Sequence, residues 1–275
     1  MCDQLTAFNS GLPKPGGQYQ QQSSDSVDVS NKRKSQKQTK IPEQFPVKKV
    51  KRDRFKGMSE EEVMQRGLPD YLRKDLDMFF VGINPGLAAA YTGQYYTGPG
   101  NHFWKCLYLS GFVDHEMTCK DDYKLMDYGI GFTNMVARTT KGSKDLSKAE
   151  LKEGGKILTE KVKEYRPKLL VFNGKISYEV YSSKKKFHFG VQPELVEGTN
   201  TKIWVMPSSS ARCAQLPRAV DKVPFFEALK RYCDFLRGNL TGVKDEDFVF
   251  TDVKLIGWKK KETNDGCNNE ENEAE

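Results

Sequence analysis

Met78-Phe79-Phe80-Val81-Gly82-Ile83-Asn84-Pro85-Gly86 is the stretch that decides the fold. Its first six residues carry no charge and are apolar at odd and even positions alike. Successive side chains of a strand point to opposite faces, so such a run fits a strand buried on both sides, the usual condition of a parallel sheet. Asn-Pro-Gly then ends it in a tight turn. The same grammar returns twice: Leu169-Leu170-Val171-Phe172 ends in Asn173-Gly174, and Ile203-Trp204-Val205-Met206 ends in Pro207-Ser208-Ser209-Ser210. Before the second of these runs, Ser147-Lys148-Ala149-Glu150 reads as a capping box. It opens a helix with apolar Leu151, Ile157, Leu158, Val162 and Tyr165, which Pro167 stops. Strand, helix and strand alternate, so the class is α/β: three layers, α/β/α, around a central and mostly parallel sheet. Sites of such folds lie at the carboxyl ends of the strands, and the Asn84 and Ser208 turns are expected to face one crevice.

Outward from this centre, Ser59-Glu60-Glu61-Glu62 fits another capping box, with a short helix ending at Gly67-Leu68-Pro69. Residues 1–56 hold 12 Lys/Arg against 5 Asp/Glu and few aliphatic side chains; residues 239–275 hold 5 against 10. We expect a disordered basic arm (1–56), a folded domain (57–238) and an acidic, largely disordered tail (239–275). The overall charge of +7 thus hides a dipolar chain, and the central region keeps an excess of about +5, compatible with a polyanionic partner. In the arm, Lys32-Arg33-Lys34 and Lys48-Lys49-Val50-Lys51-Arg52 resemble a two-part nuclear import signal, and the same residues suit loose phosphate contacts. No apolar run approaches the roughly 20 residues that span a bilayer, and the chain opens without a signal-peptide core, so a soluble intracellular protein is expected. The six cysteines form no C-x-x-C pair, which favours reduced thiols. The three histidines are scattered, and no metal centre is expected. No internal repeat is visible.

Four motifs carry the chemistry. In chain order they are Gly82-Ile83-Asn84-Pro85-Gly86; Gly98-Pro99-Gly100-Asn101-His102-Phe103-Trp104-Lys105; Gly129-Ile130-Gly131-Phe132-Thr133-Asn134; and Met206-Pro207-Ser208-Ser209-Ser210-Ala211-Arg212-Cys213-Ala214-Gln215. Together, over about Phe55 to Gly238, they resemble the thymine DNA glycosylases, the mismatch-specific branch of the uracil-DNA glycosylase superfamily. The resemblance implies the fold of that superfamily and a monofunctional enzyme that flips a mispaired or modified pyrimidine out of double-stranded DNA and hydrolyses its glycosidic bond. Thymine or uracil opposite guanine, and oxidised 5-methylcytosines, are the implied substrates. It implies a nuclear monomer without cofactor or metal that starts base excision repair and hands its product to abasic-site repair enzymes.

Asn84 matches the family's catalytic asparagine. A neutral amide is no base of carboxylate strength, but its carbonyl can hold a water beneath C1′ as the bond breaks, which suits an oxocarbenium-like transition state. The turn has no lysine, so no Schiff base is expected and the reaction should stop at the abasic site. Lys105 reads as a helix residue, not a nucleophile. By resemblance Tyr96 stacks on the flipped base, and Ile83, Ala89, Tyr95, Asn101, Asn134 and Thr140 belong to the base pocket. Vertebrate thymine glycosylases usually carry His-His before the stacking tyrosine; here stand Gln94-Tyr95, a departure expected to alter which pyrimidines are accepted. Arg212 matches the side chain pushed into the duplex, and Ala211, Gln215 and Pro217 belong to the loop that reads the orphaned guanine. Ser208 and Ser210 are expected to contact phosphates through hydroxyls or through backbone N–H groups at the start of the next helix, and Lys144 to do so by charge.

In the tail, Val243-Lys244-Asp245-Glu246 fits an attachment pattern for small ubiquitin-like modifier, with Asp247-Phe248-Val249-Phe250 as an edge strand for such a partner. Two other readings were weighed. A mismatch-binding regulatory protein of weak or absent activity on the same fold is the alternative, though the four site residues Asn84, Tyr96, Asn134 and Arg212 are all kept. A nucleotide-phosphate cradle lacks both the P-loop and the Gly-x-Gly-x-x-Gly spacing.

Overall fold

The computed structural model describes residues 53–251; the two basic clusters of the arm and the acidic stretch beyond residue 251 lie outside them. The first element is α1 (Glu60–Met64), where Ser59 and Glu62 exchange the two hydrogen bonds of a capping box, as the sequence predicts. The deciding run becomes β1 (Met78–Gly82). Then follow α2 (Leu87–Thr92), α3 (Phe103–Leu109), β2 (Ile130–Asn134), α4 (Lys148–Tyr165), β3 (Leu169–Asn173), α5 (Lys175–Ser182), β4 (Phe189–Leu195), β5 (Lys202–Met206), α6 (Val223–Leu236) and β6 (Val249–Phe250).

The strands form one sheet in the order β2-β1-β3-β5-β4-β6. The first four run parallel; β4 is antiparallel to β5, and β6 to β4. Two-sided burial has a direct consequence in packing. Met78, Phe80, Ile130, Phe132, Leu169, Val171, Trp204 and Met206 join α3 and α6 in one core, through Phe103, Leu107, Phe225 and Leu229. Their strand neighbours Phe79, Val81, Leu170, Phe172, Ile203 and Val205 join Leu158 and Val162 of α4 and Tyr178 of α5 in a second. This is the α/β/α sandwich that the charge-free runs imply.

β2 lacks the uninterrupted apolar run of the other parallel strands, since Gly129 precedes it and Gly131 lies within it. The physical reason is at Gly131: a Cβ there would meet the Tyr71 carbonyl oxygen at 2.6 Å, and Tyr71 pairs with Phe132 across the sheet edge. Helix α4 begins at the Ser147 capping box and ends at Tyr165, as expected. Of its predicted apolar face Leu158 and Val162 are buried as expected, whereas Ile157 is 49% exposed and Gly154 lies on the buried side.

The packed region also runs past the expected boundary at Gly238. After α6 the chain returns to the sheet, and Phe248 and Phe250 are buried against Trp204 and Tyr232. Asp245 accepts from Lys202 at 2.6 Å and from the Tyr232 hydroxyl at 2.9 Å. Gly190 in β4 has φ +90°, and a Cβ there would collide with the Phe248 carbonyl, so β6 sits where only glycine lets it. The rings expected to serve a modifier are therefore held in the protein's own core, and of that segment only Val249 among the apolar residues is exposed.

Candidate active site at the carboxyl ends of four parallel strands

The strand order places Asn134 at the end of β2, Asn84 just after β1, Asn173 at the end of β3 and Ser208–Ser210 just after β5. With neighbouring strands about 4.8 Å apart, these four ends span roughly 14 Å. The Asn84 and Ser208 turns thus lie at the same, carboxyl end of the sheet.

Asn84 is held from one side. Its Nδ2 donates to the Arg138 carbonyl at 2.9 Å, to Thr140 Oγ1 at 2.8 Å and to the Pro85 carbonyl at 3.3 Å. Two of these acceptors are carbonyls, which only an NH₂ can satisfy, so the amide orientation is fixed chemically. Among the described residues Asn84 Oδ1 has no hydrogen-bond partner, and it is the atom left to act. Thr140 lies behind Asn84: its hydroxyl accepts from Asn84 and donates to the Gly142 carbonyl at 2.9 Å. The Thr140 hydroxyl is thus turned to the Asn84 amide.

Asn134 pairs with Gly82 in the β1–β2 register, and a Cβ on Gly82 would lie 2.5 Å from Asn134 Oδ1. Its Nδ2 donates to the Tyr95 hydroxyl at 3.3 Å. Tyr95 is 3% exposed, stacks on Phe132 at 4.9 Å between ring centroids, and receives nothing else on its oxygen. Burial first, then the charge of Asp70, push its phenol above the ordinary tyrosine range, so it stays neutral with a proton to donate. Tyr96 takes the left-handed conformation, φ +53°, uncommon for a bulky side chain. One ring face lies on Phe103 at 4.0 Å, so a base can stack only on what remains. Among the described residues its buried hydroxyl makes no hydrogen bond of ordinary geometry; its polar neighbour is the Asn173 amide, which is itself engaged by Ser209.

A second group surrounds a cavity of about 420 Å³, walled by Ile83, Asn173, Lys175, Ser208, Ser210, Arg212 and Gln215 among others. A larger cleft of about 1120 Å³ between α4 and α5 holds none of the candidate residues, so size alone would mislead. The serine loop differs from its expected form. No helix starts there; Ser210 N–H donates to Ser208 Oγ at 3.3 Å and Arg212 N–H to Ser210 Oγ at 3.2 Å. Those backbone donors are used inside the loop, and the two hydroxyl protons remain for a ligand. Arg212, Ala211, Gln215 and Pro217 are exposed.

The other expected residues fall outside both groups. Asn101, the residue before the α3 N-cap His102, accepts on Oδ1 from Phe103 N–H at 3.0 Å, which leaves its amide N–H₂ as the part able to face a base. Ala89 sits in α2, and its carbonyl closes the helix with Gly93 N–H. Lys144 is exposed in a 3-10 turn with no partner among the described residues. Lys105 is exposed on α3, consistent with a helix residue.

Sequence reasoning missed two residues that build the site. Asn173 exchanges two 2.9 Å hydrogen bonds with Ser209, one to its N–H and one from its own amide to Ser209 Oγ, joining the β3 and β5 turns. Its signal was visible, since Asn173-Gly174 ends a strand just as Asn84-Pro85 does. Lys222 is buried beneath the serine loop, and nothing in its sequence neighbourhood marks it.

Fold and site together define an α/β protein with a carboxamide, an aromatic wall and a cationic loop along one sheet edge, the equipment of a protein that handles a nucleobase. Residues 69–230 match the family described as the Uracil DNA glycosylase superfamily, and the chain belongs to it. Among solved structures, the chain is similar to the solution NMR structure of a candidate uracil DNA glycosylase from Methanosarcina acetivorans. The two are 22% identical over 60% of this chain and 98% of that one, with a TM-score of 0.40. Membership makes this chain a DNA glycosylase, a hydrolase of DNA repair.

Proposed function

We propose that this glycosylase is monofunctional and mismatch-directed, removing uracil or thymine opposite guanine, and oxidised 5-methylcytosines, through a water held by Asn84. The observation that carries this is the Asn84 amide, tied down by three contacts on nitrogen while its oxygen is free. Such an oxygen can accept from a water and aim its lone pair at C1′ without taking the proton fully, which suits a bond that breaks before the water adds. No lysine stands within the turn to form an imine, so the product is an abasic site.

In this reading the flipped pyrimidine uses the open part of Tyr96, and the Tyr95 proton is a donor for its edge. Asn134 completes the recognition. Arg212 enters the duplex in place of the base, Ala211, Gln215 and Pro217 meet the guanine, and Ser208, Ser210 and Lys144 hold phosphates. The basic arm would carry the protein into the nucleus, where abasic-site repair enzymes take the product.

Tyr95 sets the substrate range. It is larger than the histidine of the family pattern and is packed on Phe132, so it narrows the space available to a 5-methyl group. The test is a single-turnover series of G·U, G·T and oxidised-cytosine duplexes on the wild type and Tyr95→His. Wild type should release uracil fastest, and Tyr95→His should narrow the uracil-over-thymine ratio by roughly tenfold, the order expected for one methyl group in a pocket. No release from any of these duplexes would end the proposal; an unchanged ratio would remove Tyr95 from it.

Lys244 is exposed at the start of the 3-10 turn, as attachment of a small modifier requires. Intact-mass measurement after a reconstituted modification reaction should show one added modifier, lost in Lys244→Arg. An identical yield from Lys244→Arg would exclude this site.

A further inference from the structure

The turn before α6 sends one lysine inward. Lys222 is 1% exposed and ends between the serine loop and the start of α3. Its Nζ donates to the Ser210 carbonyl at 2.7 Å and the Ser209 carbonyl at 3.2 Å, and lies 3.1 Å from His102 Nδ1. An ammonium has three N–H groups and no acceptor, so these contacts exhaust it, and His102 Nδ1 must be the acceptor with its proton on Nε2. Burial, and then the Lys222 charge, hold His102 below the usual histidine range, which agrees with that neutral form. Among the described residues no carboxylate lies within ion-pair distance of Lys222; the adjacent Asp221 is engaged by Arg218.

A buried cation without a counter-ion is unfavourable unless its hydrogen bonds are fully made. Here all of them go to two consecutive carbonyls and the residue that caps α3. The same loop is held from three more sides: His102 N–H donates to the Ser209 carbonyl at 3.0 Å, Asn173 binds Ser209, and Cys213 N–H closes a turn on the Ser210 carbonyl at 3.0 Å. Drawing the carbonyls of Ser209 and Ser210 inward leaves Ala211 and Arg212 outside, both exposed.

We propose that Lys222 is a positioning residue whose ammonium pins the Ser209–Ser210 carbonyls, so that the loop presents Arg212 to DNA in a fixed shape before DNA arrives. Ordering the loop in the free protein removes an entropic cost from the step in which the flipped base is replaced. The role rests on the proposed wedge function of Arg212, but the pinning itself does not.

Lys222→Met, close in length and without donors, is the test. Under single-turnover conditions with enzyme in excess, release from a G·U duplex should fall at least tenfold. Release from a duplex whose uracil faces an abasic gap, where no partner base holds it in the stack, should fall less than threefold. Amide exchange should quicken at residues 209–213 and stay unchanged in β1 and β3. Lys222→Gln, which keeps two N–H donors, should recover part of the loop protection, and it replaces Lys222→Met if that variant does not fold. Equal losses on both duplexes, or unaltered exchange at residues 209–213, would overturn the proposal. Should wild type release no base at all while the exchange difference persists, the glycosylase reading fails and the pinning of the loop stands.

Discussion

Asn84→Ala should retain the fold and lose base release by about a thousandfold or more, within the range that a positioned proton acceptor contributes. Alanine removes the free Oδ1 that holds the water. What it takes from the structure is modest: three contacts of a partly buried amide in a turn, each contributing roughly 0.5–1.5 kcal/mol net. Thr140→Val separates orientation from chemistry. It keeps shape and burial but deletes the hydroxyl that holds Asn84 Nδ2 at 2.8 Å, so release should slow by roughly 3–10-fold, the loss of one such hydrogen bond, with affinity for abasic DNA unchanged. Both are read in single-turnover assays at saturating enzyme. Release by Asn84→Ala within tenfold of wild type would mean that the water is held elsewhere.

Ending the chain at Gly238 should unfold it. Such a chain lacks Phe248 and Phe250, 1% and 7% exposed, and uncovers Trp204 and Tyr232, which they pack against. Truncation of a buried phenylalanine to alanine typically costs about 3–5 kcal/mol, and two such losses rival the roughly 5–15 kcal/mol that hold a domain together. The Asp245 contacts with Lys202 and Tyr232 go as well. A chain ending at Thr251 keeps all of these contacts. Comparing the two by thermal melting, the shorter chain should be insoluble or show no cooperative transition near that of the longer one. Matching transitions would show that the domain closes at α6.

These two tests fall on opposite sides of what could be read from the chain. The turn that carries Asn84 was legible because its signals are local, an uncharged run that must be a buried strand and an Asn-Pro-Gly turn that must end it; the contacts of its amide with Arg138 and Thr140 were not. Equally local are the capping boxes at Ser59 and Ser147, where residue types three apart satisfy the first orphan N–H groups of a helix. The order of motifs pointed to the uracil-DNA glycosylase superfamily, which the match over residues 69–230 shows.

Phe248 and Phe250 were not legible as core, because they sit in a polar, acidic context; Phe250 is buried by pairing with β4, about 60 residues earlier in sequence, and Phe248, the last residue of the turn before β6, by packing on Trp204 and Tyr232. Thr140 was assigned to the pocket by resemblance, and only the folded chain shows its hydroxyl turned to Asn84. The serine loop was expected to open a helix, whereas the chain reaches Val223 before the next one begins.

By itself, then, the sequence determined the α/β class, the position of the central strands and the turn that bears Asn84, since periodicity, capping and turn chemistry act within a few residues. The tertiary structure alone decided which face each of those groups presents, that Asn173 and Lys222 hold the serine loop, and where the domain ends. Those outcomes depend on hydrogen bonds and contacts between distant segments, and a buried cation such as Lys222 finds its acceptors only when the turns after β3 and β5, the start of α3 and the start of α6 have come together.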